Sequence, residues 1–284
     1  MDGTGTRRKW TGWTVPAMMA LLSAAACLAG CQAPPERVEV PRRPLAVRRS
    51  VNFWIDALRD NDLAWATLQA RCEVRISNPQ INTPTNSVTL GSGLLVVKKP
   101  DLVYLRIPHK GTLKVRLAGN GELYRAELPA LSDSFDGRYG DPVEPQPGRI
   151  HIMPADIVHA FSPASLLGRA PVLHDVEQIS RVSLFEWESD PPAVRIPAAI
   201  SFDRISEAIT TIEKYNADGA IRSVVTYPRR ELVETGVGRS VQVPTAILID
   251  YPMERTRVLL RLEAVKLDQL LDEESPFKDA TEAP

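Results

Sequence analysis

Alternation of apolar and polar residues over long stretches limits this chain to a mainly β fold. Between Ala66 and Ile76, apolar residues occupy every second position and polar or charged residues stand between them. Successive side chains of a strand point to opposite faces of a sheet, so this period predicts a long strand with one buried face. The same period recurs at residues 87–98, 102–108, 113–118, 123–128, 195–203, 208–216, 220–227, 240–250 and 256–267, and one more strand is expected within 172–188.

Short turn signals separate these segments, among them Lys99-Pro100-Asp101 and Gly119-Asn120-Gly121. Consecutive strands joined by tight turns form antiparallel meanders. Apolar residues at helical spacing predict one helix at 48–60 and a shorter one at 153–161. The predicted fold class is therefore α+β and mainly β, with a large curved antiparallel sheet. Two short helical segments cover only part of its apolar face, so something else is expected to cover the rest.

The N-terminus has the layout of an export signal. Basic residues at 7–9 precede an uncharged apolar stretch at 15–30, which is typical of a secretory signal. A membrane-spanning helix needs about 20 apolar residues, and this stretch is shorter. Leu28-Ala29-Gly30-Cys31 resembles the lipobox of bacterial lipoproteins, in which the cysteine sulfur takes a diacylglycerol and becomes the new N-terminus. The resemblance implies lipid attachment at Cys31, and the alternative is an ordinary signal peptide with an incidental cysteine.

A proline-rich segment separates this N-terminus from the strand patterns. Residues 32–45 contain four prolines, and such segments stay extended without forming a core. We predict a lipoprotein signal peptide at 1–30, the lipidated cysteine with its tether at 31–48, one folded domain at 49–275 and a flexible tail at 276–284. A second proline cluster at 141–148 is interpreted as a surface loop, because strand patterns lie on both sides of it.

Charge and cysteine content argue against a nucleic-acid-binding protein and against a disulfide-stabilised fold. Removal of residues 1–30 takes three basic and one acidic residue from the 34 Lys and Arg and 35 Asp and Glu, which leaves a net charge of −3. No basic stripe remains to neutralise phosphates, so a nucleic-acid partner is not expected. Cys27 leaves with the signal and Cys31 is acylated, so Cys72 is the remaining thiol and no internal disulfide is expected.

The order of elements resembles the LolA/LolB-like carriers, bacterial envelope proteins that include lipoprotein carriers and receptors. A lipobox and spacer are followed by a helix, a strand meander, a helical insertion and more strands. Residues 93–107 are similar to their second and third strands, which a Lys-Pro turn joins, and residues 243–263 are similar to their last hairpin. The resemblance spans about residues 49–275 and includes no catalytic motif.

This resemblance implies an unclosed half-barrel with a short helical lid over its mouth and acyl chains held in an apolar groove. Receptors of the group carry an apolar protruding loop between two early strands, whereas His109-Lys110-Gly111 is a short polar turn here. The residue after the lipidated cysteine is Gln32 and not the aspartate that favours retention at the inner membrane. The implied location is the periplasmic face of the outer membrane.

The groove residues are predicted from the apolar phase of the strands. They are Leu68, Ala70, Cys72, Val74, Leu94, Val96, Leu105, Leu113, Val115, Val258, Leu260 and Leu262, and the lid residues are Ile157, Val158 and Phe161. The competing interpretation is that these side chains pack a closed core, because most apolar alternation in strands is core.

Motifs of catalytic and metal sites have little support. The four histidines, His109, His151, His159 and His174, do not form a His-x-x-x-His pair, and neither a Gly-x-Ser-x-Gly elbow nor a phosphate loop occurs. His151, Asp156 and His159 could be brought together by folding as metal ligands, although scattered solvated side chains are the simpler interpretation. We therefore expect no enzymatic activity, no cofactor and no metal.

The sequence predicts a membrane-anchored envelope lipoprotein that binds acyl chains or lipidated proteins for transport or sorting. The first alternative is a structural or stress-sensing lipoprotein that binds a protein partner through the same sheet, and a groove filled by side chains would favour it. The second is a hydrolase of envelope lipid or glycan, which needs a cleft with convergent acids or histidines.

Overall fold

The computed structural model describes residues 49–109, 112–129, 133–139, 152–167, 172–175, 181–185, 188–190, 193–195, 197–236 and 238–269. All of them belong to the second of the two units into which the chain divides, Ala46–Pro284. The predicted signal peptide, Cys31, the tether and the predicted tail lie outside the described residues, so these parts remain predictions. Among the described residues, no helix has the length and apolar character needed to cross a membrane.

The described residues contain two helices and one 3-10 turn. Helix α1 is Val51–Leu63 and helix α2 is Pro154–Phe161, followed by the 3-10 turn Pro163–Leu166. Helix α1 starts three residues later than predicted because the Ser50 hydroxyl accepts a hydrogen bond from the Phe53 N–H (3.2 Å), which satisfies a free donor of the first turn. Proline at the first position of α2 costs no hydrogen bond, since that N–H has no partner within a helix.

The described residues contain fifteen strands. They are β1 Thr67–Ser77, β2 Ser87–Lys98, β3 Leu102–His109, β4 Thr112–Asn120, β5 Leu123–Leu128, β6 Asp133–Arg138, β7 Val172–Asp175, β8 Arg181–Phe185, β9 Glu188–Asp190, β10 Ala193–Arg195, β11 Ala198–Asp203, β12 Ile209–Tyr215, β13 Ile221–Glu234, β14 Ser240–Tyr251 and β15 Thr256–Leu267.

Thirteen of these strands form one antiparallel sheet in the order β6-β5-β4-β3-β2-β1-β15-β14-β13-β12-β11-β8-β7, and β9 and β10 form a separate pair. The sheet does not close into a barrel, because β6 and β7 stand at its two ends. Pairing of β1 with β15 joins the N-terminal meander to the C-terminal one. The predicted class, a mainly β fold with an unclosed antiparallel sheet and short helices, is confirmed.

The sheet curves around helix α2. This helix contacts β3 and β4 on one side and β13 and β14 on the other. Strands β3 and β14 are four strand spacings apart, which is about 19 Å along the sheet at about 4.8 Å per spacing. One helix with a diameter of about 10 Å reaches both only if the sheet bends toward it. The face toward α2 is called the concave face below, and the opposite face is the outer face.

The predictions fail at polar and at short strands. Strand β6 contains two aspartates and a glycine, which disfavour strands, yet it pairs with β5 at the sheet edge, where the side chains of residues 134–138 are half-buried or exposed. The region 172–188 was predicted as one strand, but it holds β7, β8 and the start of β9. Strand β13 continues past Tyr227, the predicted end, because Pro228 lies at a bulge and does not stop the pairing.

Candidate functional site

Most of the predicted groove residues line the concave face and are closely packed. Nine of them lie in one cluster with side chains from both helices, each at most 6% exposed. These nine are Leu68, Ala70, Cys72, Val74, Leu105, Val115, Val258, Leu260 and Leu262. Of Leu113 the structure describes only the backbone, in β4. The concave face is therefore a continuous apolar surface that the protein covers with its own side chains.

The prediction that Leu94 and Val96 of β2 line the groove is wrong. Leu94 is 37% exposed, and Val96 packs with Tyr104 and Ala118 in a small cluster outside the main core. The register pairs Ala70 with Leu95 and Leu68 with Val97, and paired residues point to the same face. The run Leu94-Leu95-Val96-Val97 is apolar throughout, so the sequence does not show which of these residues are buried. Only the pairing with β1 decides which face of the sheet each residue takes.

The three predicted lid residues fill the concave face. Ile157, Val158 and Phe161 are at most 1% exposed and belong to the main core cluster. Phe161 meets Trp65 edge-to-face with ring centroids 6.2 Å apart. Helix α1 contributes Trp54, whose ring lies 4.8 Å from that of Phe202. The two helices thus occupy the space that a ligand on the concave face would use.

Hydrogen bonds hold α2 to strands β13 and β14. The Tyr227 hydroxyl donates to the Ala160 carbonyl at the end of the helix (2.9 Å). At its start, the Met153 N–H donates to the Tyr251 hydroxyl (3.2 Å). Burial raises the pKa of Tyr227 and of Tyr251 above the ordinary value, so both hydroxyls remain protonated.

A buried ion pair fastens α2 to β12. The Lys214 ammonium donates to Asp156 Oδ1 at 2.5 Å, and these side chains are 9% and 0% exposed. Burial alone would raise the pKa of Asp156, but the charges of Lys214 and Arg222 hold it below its ordinary value, so the group is a carboxylate. Burial and the Lys214 charge lower the pKa of His159 well below its ordinary value, so the neutral ring nitrogen Nδ1 accepts from Lys214.

The residues after α2 are joined to α1. Asp62 Oδ2 accepts hydrogen bonds from the Ser162 hydroxyl (3.0 Å) and from the Ala164 N–H (3.1 Å). Lys99 donates to the Asp62 carbonyl (2.9 Å), and its ammonium lies 3.6 Å from the centre of the Trp65 ring. Polar contacts thus join the two helices that cover the concave face to each other and to the sheet.

The geometry gives no support to the metal interpretation. His151 and the side chains of His109 and His174 lie outside the described residues. Asp156 and His159 come together as the sequence allowed, but both contact Lys214, whose positive charge disfavours a cation there. Within the part of the chain that is described, no group of three His, Cys, Asp or Glu side chains could hold a metal ion.

A cavity of about 600 Å³, here called the fork cavity, opens between strands β14 and β15. Its apolar lining is Pro228, Ala246, Leu248, Leu259 and Leu262, and its polar lining is Arg229, Thr245, Arg261 and Glu263. Small-molecule sites commonly measure 300–1,000 Å³, so the volume suits a ligand or part of an acyl chain. Leu262 is the one predicted groove residue in this lining.

The fork cavity exists because the two strands separate. Strand β14 pairs with β15 only from Ala246 to Tyr251. Before Ala246 it continues along β13, whereas β15 beyond Arg261 continues along β1. Leu262 belongs to the core cluster of the concave face, whereas Ala246 and Leu259 belong to the outer phase, and Thr245 is an unpaired bulge residue beside Ala246. The cavity is lined from both faces and therefore leads from the outer face toward the core.

Three bulges surround the fork. The register of β13 and β14 shifts once around Pro228 and once at Thr245, and that of β1 and β15 shifts between Glu263 and Lys266. In the third bulge Ala264 has φ = +50°, a left-handed backbone conformation that glycine adopts more readily. Bulges redirect side chains and are enriched beside binding sites. Pro228, directly after a predicted strand, and Pro244, inside one, are the sequence signals that could have indicated this site.

A second depression, of about 390 Å³, lies where the β14–β15 hairpin meets the end of β1. It is lined by Ser77, Asn78, Pro79, Thr85, Asn86, Asp250, Pro252, Arg255 and Arg257. None of the predicted groove residues takes part, and the lining is mainly polar. The fork cavity is therefore the better candidate for an apolar ligand.

The buried thiol of Cys72 gives a direct test of the packing of the concave face. Burial, with a smaller contribution from Glu73, raises the pKa of Cys72 to about 12 from an ordinary 9.0. At pH 8 this lowers the thiolate fraction about a thousand-fold, so native protein comprising residues 33–284 is expected to react with Ellman's reagent only after denaturation. The control is Asp218→Cys with Cys72→Ala, which places the thiol on an exposed turn and should react at once. Rapid labelling of native Cys72 would contradict a packed concave face.

Comparisons with known proteins bear on the fold. No protein-family model and no curated protein matches the chain. A domain from Vibrio parahaemolyticus, proposed to be an outer membrane lipoprotein-sorting protein domain, is similar with a TM-score of 0.51 and 12% identity, over 80% of this chain and 96% of that one. A LolA superfamily protein from Nitrosomonas europaea gives 0.49 and 11%, over 80% and 97%. The likeness to the Vibrio domain shows a shared fold, in agreement with the resemblance noted in the sequence.

Proposed function

We propose that this protein is a lipid-anchored envelope lipoprotein whose half-barrel takes up an acyl chain, from a lipid or from an acylated protein, for transport or sorting. The observation that carries the proposal is the fork cavity, which leads between two strands to an apolar core. Each methylene removed from water contributes about 0.8 kcal/mol, so partial entry of an acyl chain already gives useful affinity. Binding of this kind requires no reaction, and no enzymatic step is proposed.

The proposed anchor is the lipid on Cys31, followed by the extended tether at 31–48. A proline-rich spacer keeps the half-barrel at a distance from the membrane while leaving it tethered. We place the protein at the periplasmic face of the outer membrane. The proposed task of the Vibrio domain, outer membrane lipoprotein sorting, agrees with this role.

A second candidate function is supported by one observation. The concave face is already filled by Trp54, Leu58 and the α2 side chains, as expected for a lipoprotein that binds a protein partner and carries no ligand. Loading beyond the fork cavity requires α2 to move, and the Asp156–Lys214 pair opposes that movement. The two functions therefore differ in whether lipid accompanies the purified protein.

Native mass spectrometry separates the two functions. Residues 33–284 are produced without the lipidated cysteine and purified without detergent, so any lipid that is detected is a ligand. The expected result is a stoichiometric lipid or acylated peptide, lost in Ala246→Trp, which fills the fork cavity, and kept in Gln242→Trp, an exposed position of the same strand. A bare mass that stays unchanged after incubation with an envelope lipid extract would reject the carrier function and favour the protein-binding one.

A further inference from the structure

Two arginines lie on either side of a short residue at the mouth of the fork cavity. The register pairs Ala246 with Arg229 on β13 and with Arg261 on β15, so the three form one row across the outer face. The Cα atoms of the two arginines are about 10 Å apart, since neighbouring strands are about 4.8 Å apart. Both arginines line the cavity, and the small side chain of Ala246 between them leaves space for a ligand.

The lining of this mouth carries more positive than negative charge. Arg229 pairs with Glu231 (2.6 Å) and Arg261 with Glu73 (3.9 Å), in side chains that are 72% and 62% exposed. Exposed pairs of this kind are weak and leave the guanidinium free to bind a further acceptor. The third charged group of the lining, Glu263, lies 3.9 Å from Arg71. The lining itself therefore carries two cations and one anion.

A buried hydroxyl adds a second, independent indication of a ligand. Thr245 lines the cavity at 4% exposure, and among the described residues its Oγ1 has no hydrogen-bond partner. It is the extra residue of the β14 bulge, next to Ala246. A buried hydroxyl without a partner is costly, so polar groups in native proteins usually have one. A ligand oxygen in the cavity would accept this hydrogen bond.

The rest of the cavity lining is apolar and adjoins the row formed by Arg229, Ala246 and Arg261. Leu248 pairs with Leu259 one row further along the outer face, and Leu262 lies toward the core. A charged group between the arginines therefore directs an attached chain over leucine side chains. A guanidinium group binds a phosphate or carboxylate through two parallel charge-assisted hydrogen bonds, and a neutral headgroup offers no charged acceptor for them.

We infer that the fork cavity selects an anionic single-chain amphiphile, with the phosphate or carboxylate between Arg229 and Arg261, an adjacent oxygen bonded to Thr245, and the acyl chain on Leu248, Leu259 and Leu262. This inference rests on the proposed function and adds the class of ligand to it. The headgroup belongs to the acyl-bearing molecule and is not a free anion.

The test compares two probes with the same chain. Calorimetric titration of the full chain carrying Cys31→Ser, with 1-oleoyl lysophosphatidate and with 1-oleoylglycerol below their micelle concentrations, is expected to give about ten-fold tighter binding of the phosphate-bearing probe. Arg229→Gln with Arg261→Gln should remove this preference, so that the two probes bind with equal affinity. Thr245→Val, which keeps the shape and removes the hydroxyl, should weaken the binding of lysophosphatidate several-fold. The control is Arg257→Gln, an exposed arginine of β15 outside the fork cavity.

The outcomes distinguish the inference from the proposed function. Salt should weaken lysophosphatidate binding and leave 1-oleoylglycerol binding unchanged, a readout that needs no variant. Equal affinity for the two probes, or a preference that survives the double arginine variant, overturns the anionic ligand and leaves the acyl-binding function standing. Binding of neither probe overturns both. Inorganic phosphate that binds as tightly as lysophosphatidate overturns the lipid headgroup in favour of a free-anion site.

Discussion

Asp156→Ala is expected to lower the free energy of unfolding by about 3–5 kcal/mol, because it leaves the Lys214 ammonium buried without its counter-charge. The pair is almost fully shielded from solvent, and Asp156 supplies the carboxylate that Lys214 contacts at 2.5 Å. His159 offers only a neutral acceptor to the same ammonium. Urea unfolding followed by circular dichroism measures the loss.

Two controls show whether the loss comes from the unpaired charge. Asp156→Leu combined with Lys214→Met replaces the whole pair by apolar groups and should recover most of the stability, since removal of both charges is often neutral. Asp250→Ala breaks the exposed pair with Arg257 and should cost less than about 1 kcal/mol. A loss of less than about 1 kcal/mol in Asp156→Ala would show that the pair does not hold α2 in place.

The same pair predicts a loss of stability in acid. The pKa of Asp156 is lower in the folded protein than its ordinary value of 3.8. Its contribution is therefore fully present above the unfolded pKa and is lost as the pH falls through the folded pKa. The difference in unfolding free energy between the wild type and Asp156→Ala should accordingly shrink between neutral pH and the acid range. A difference that stays constant would argue against a carboxylate at this position.

Trp54→Ala is expected to cost about 3–5 kcal/mol, since it removes the largest fully buried side chain from the main core cluster. Trp54 joins α1 to the sheet through Phe202 and contacts Phe53 edge-to-face at 5.2 Å. A cavity in this position cannot collapse easily, because the surrounding strands are fixed by their pairing. Circular dichroism is the readout, as the substitution changes the tryptophan fluorescence.

Two substitutions bracket this effect. Trp54→Phe keeps an aromatic ring and removes an Nε1 donor that has no partner among the described residues, so it should cost less than about 1.5 kcal/mol. Leu63→Ala, in the same helix but 84% exposed, should change the stability by less than about 0.5 kcal/mol. Equal losses for Trp54→Ala and Leu63→Ala would mean that α1 does not pack on the sheet as described.

Both stability predictions bear on the loading of the half-barrel. The concave face is closed by α1 and α2, and α2 is held by polar contacts to Lys214, Tyr227 and Tyr251. Weakening those contacts should make the concave face accessible to a longer chain at the expense of stability. If the protein is a carrier, Asp156→Ala should therefore be less stable but retain more lipid after purification. If it binds a protein partner, the variant should only be less stable.

The period of two was enough to predict most of the sheet. Strands β1, β2, β5 and β15 lie within one residue of the predicted segments at each end, because long alternation has one structural explanation. The predicted groove residues with a clear polar neighbour on each side, such as Cys72 and Val74, lie on the concave face. Lys214, in the apolar phase of its strand next to Ile212, was a signal of a buried partner that the sequence analysis did not use.

The sequence by itself determined the strand periodicity, the antiparallel order and the apolar face, because these follow from neighbouring residues and short turns. Only the tertiary structure decided the phase of Leu94 and Val96, the pairing of Asp156 with Lys214 across 58 positions, and the fork between β14 and β15. A uniformly apolar strand takes its faces from its partner, and an ion pair or a fork depends on which distant strands meet. Local residue patterns carry no information on either, so the candidate site became visible only in the folded chain.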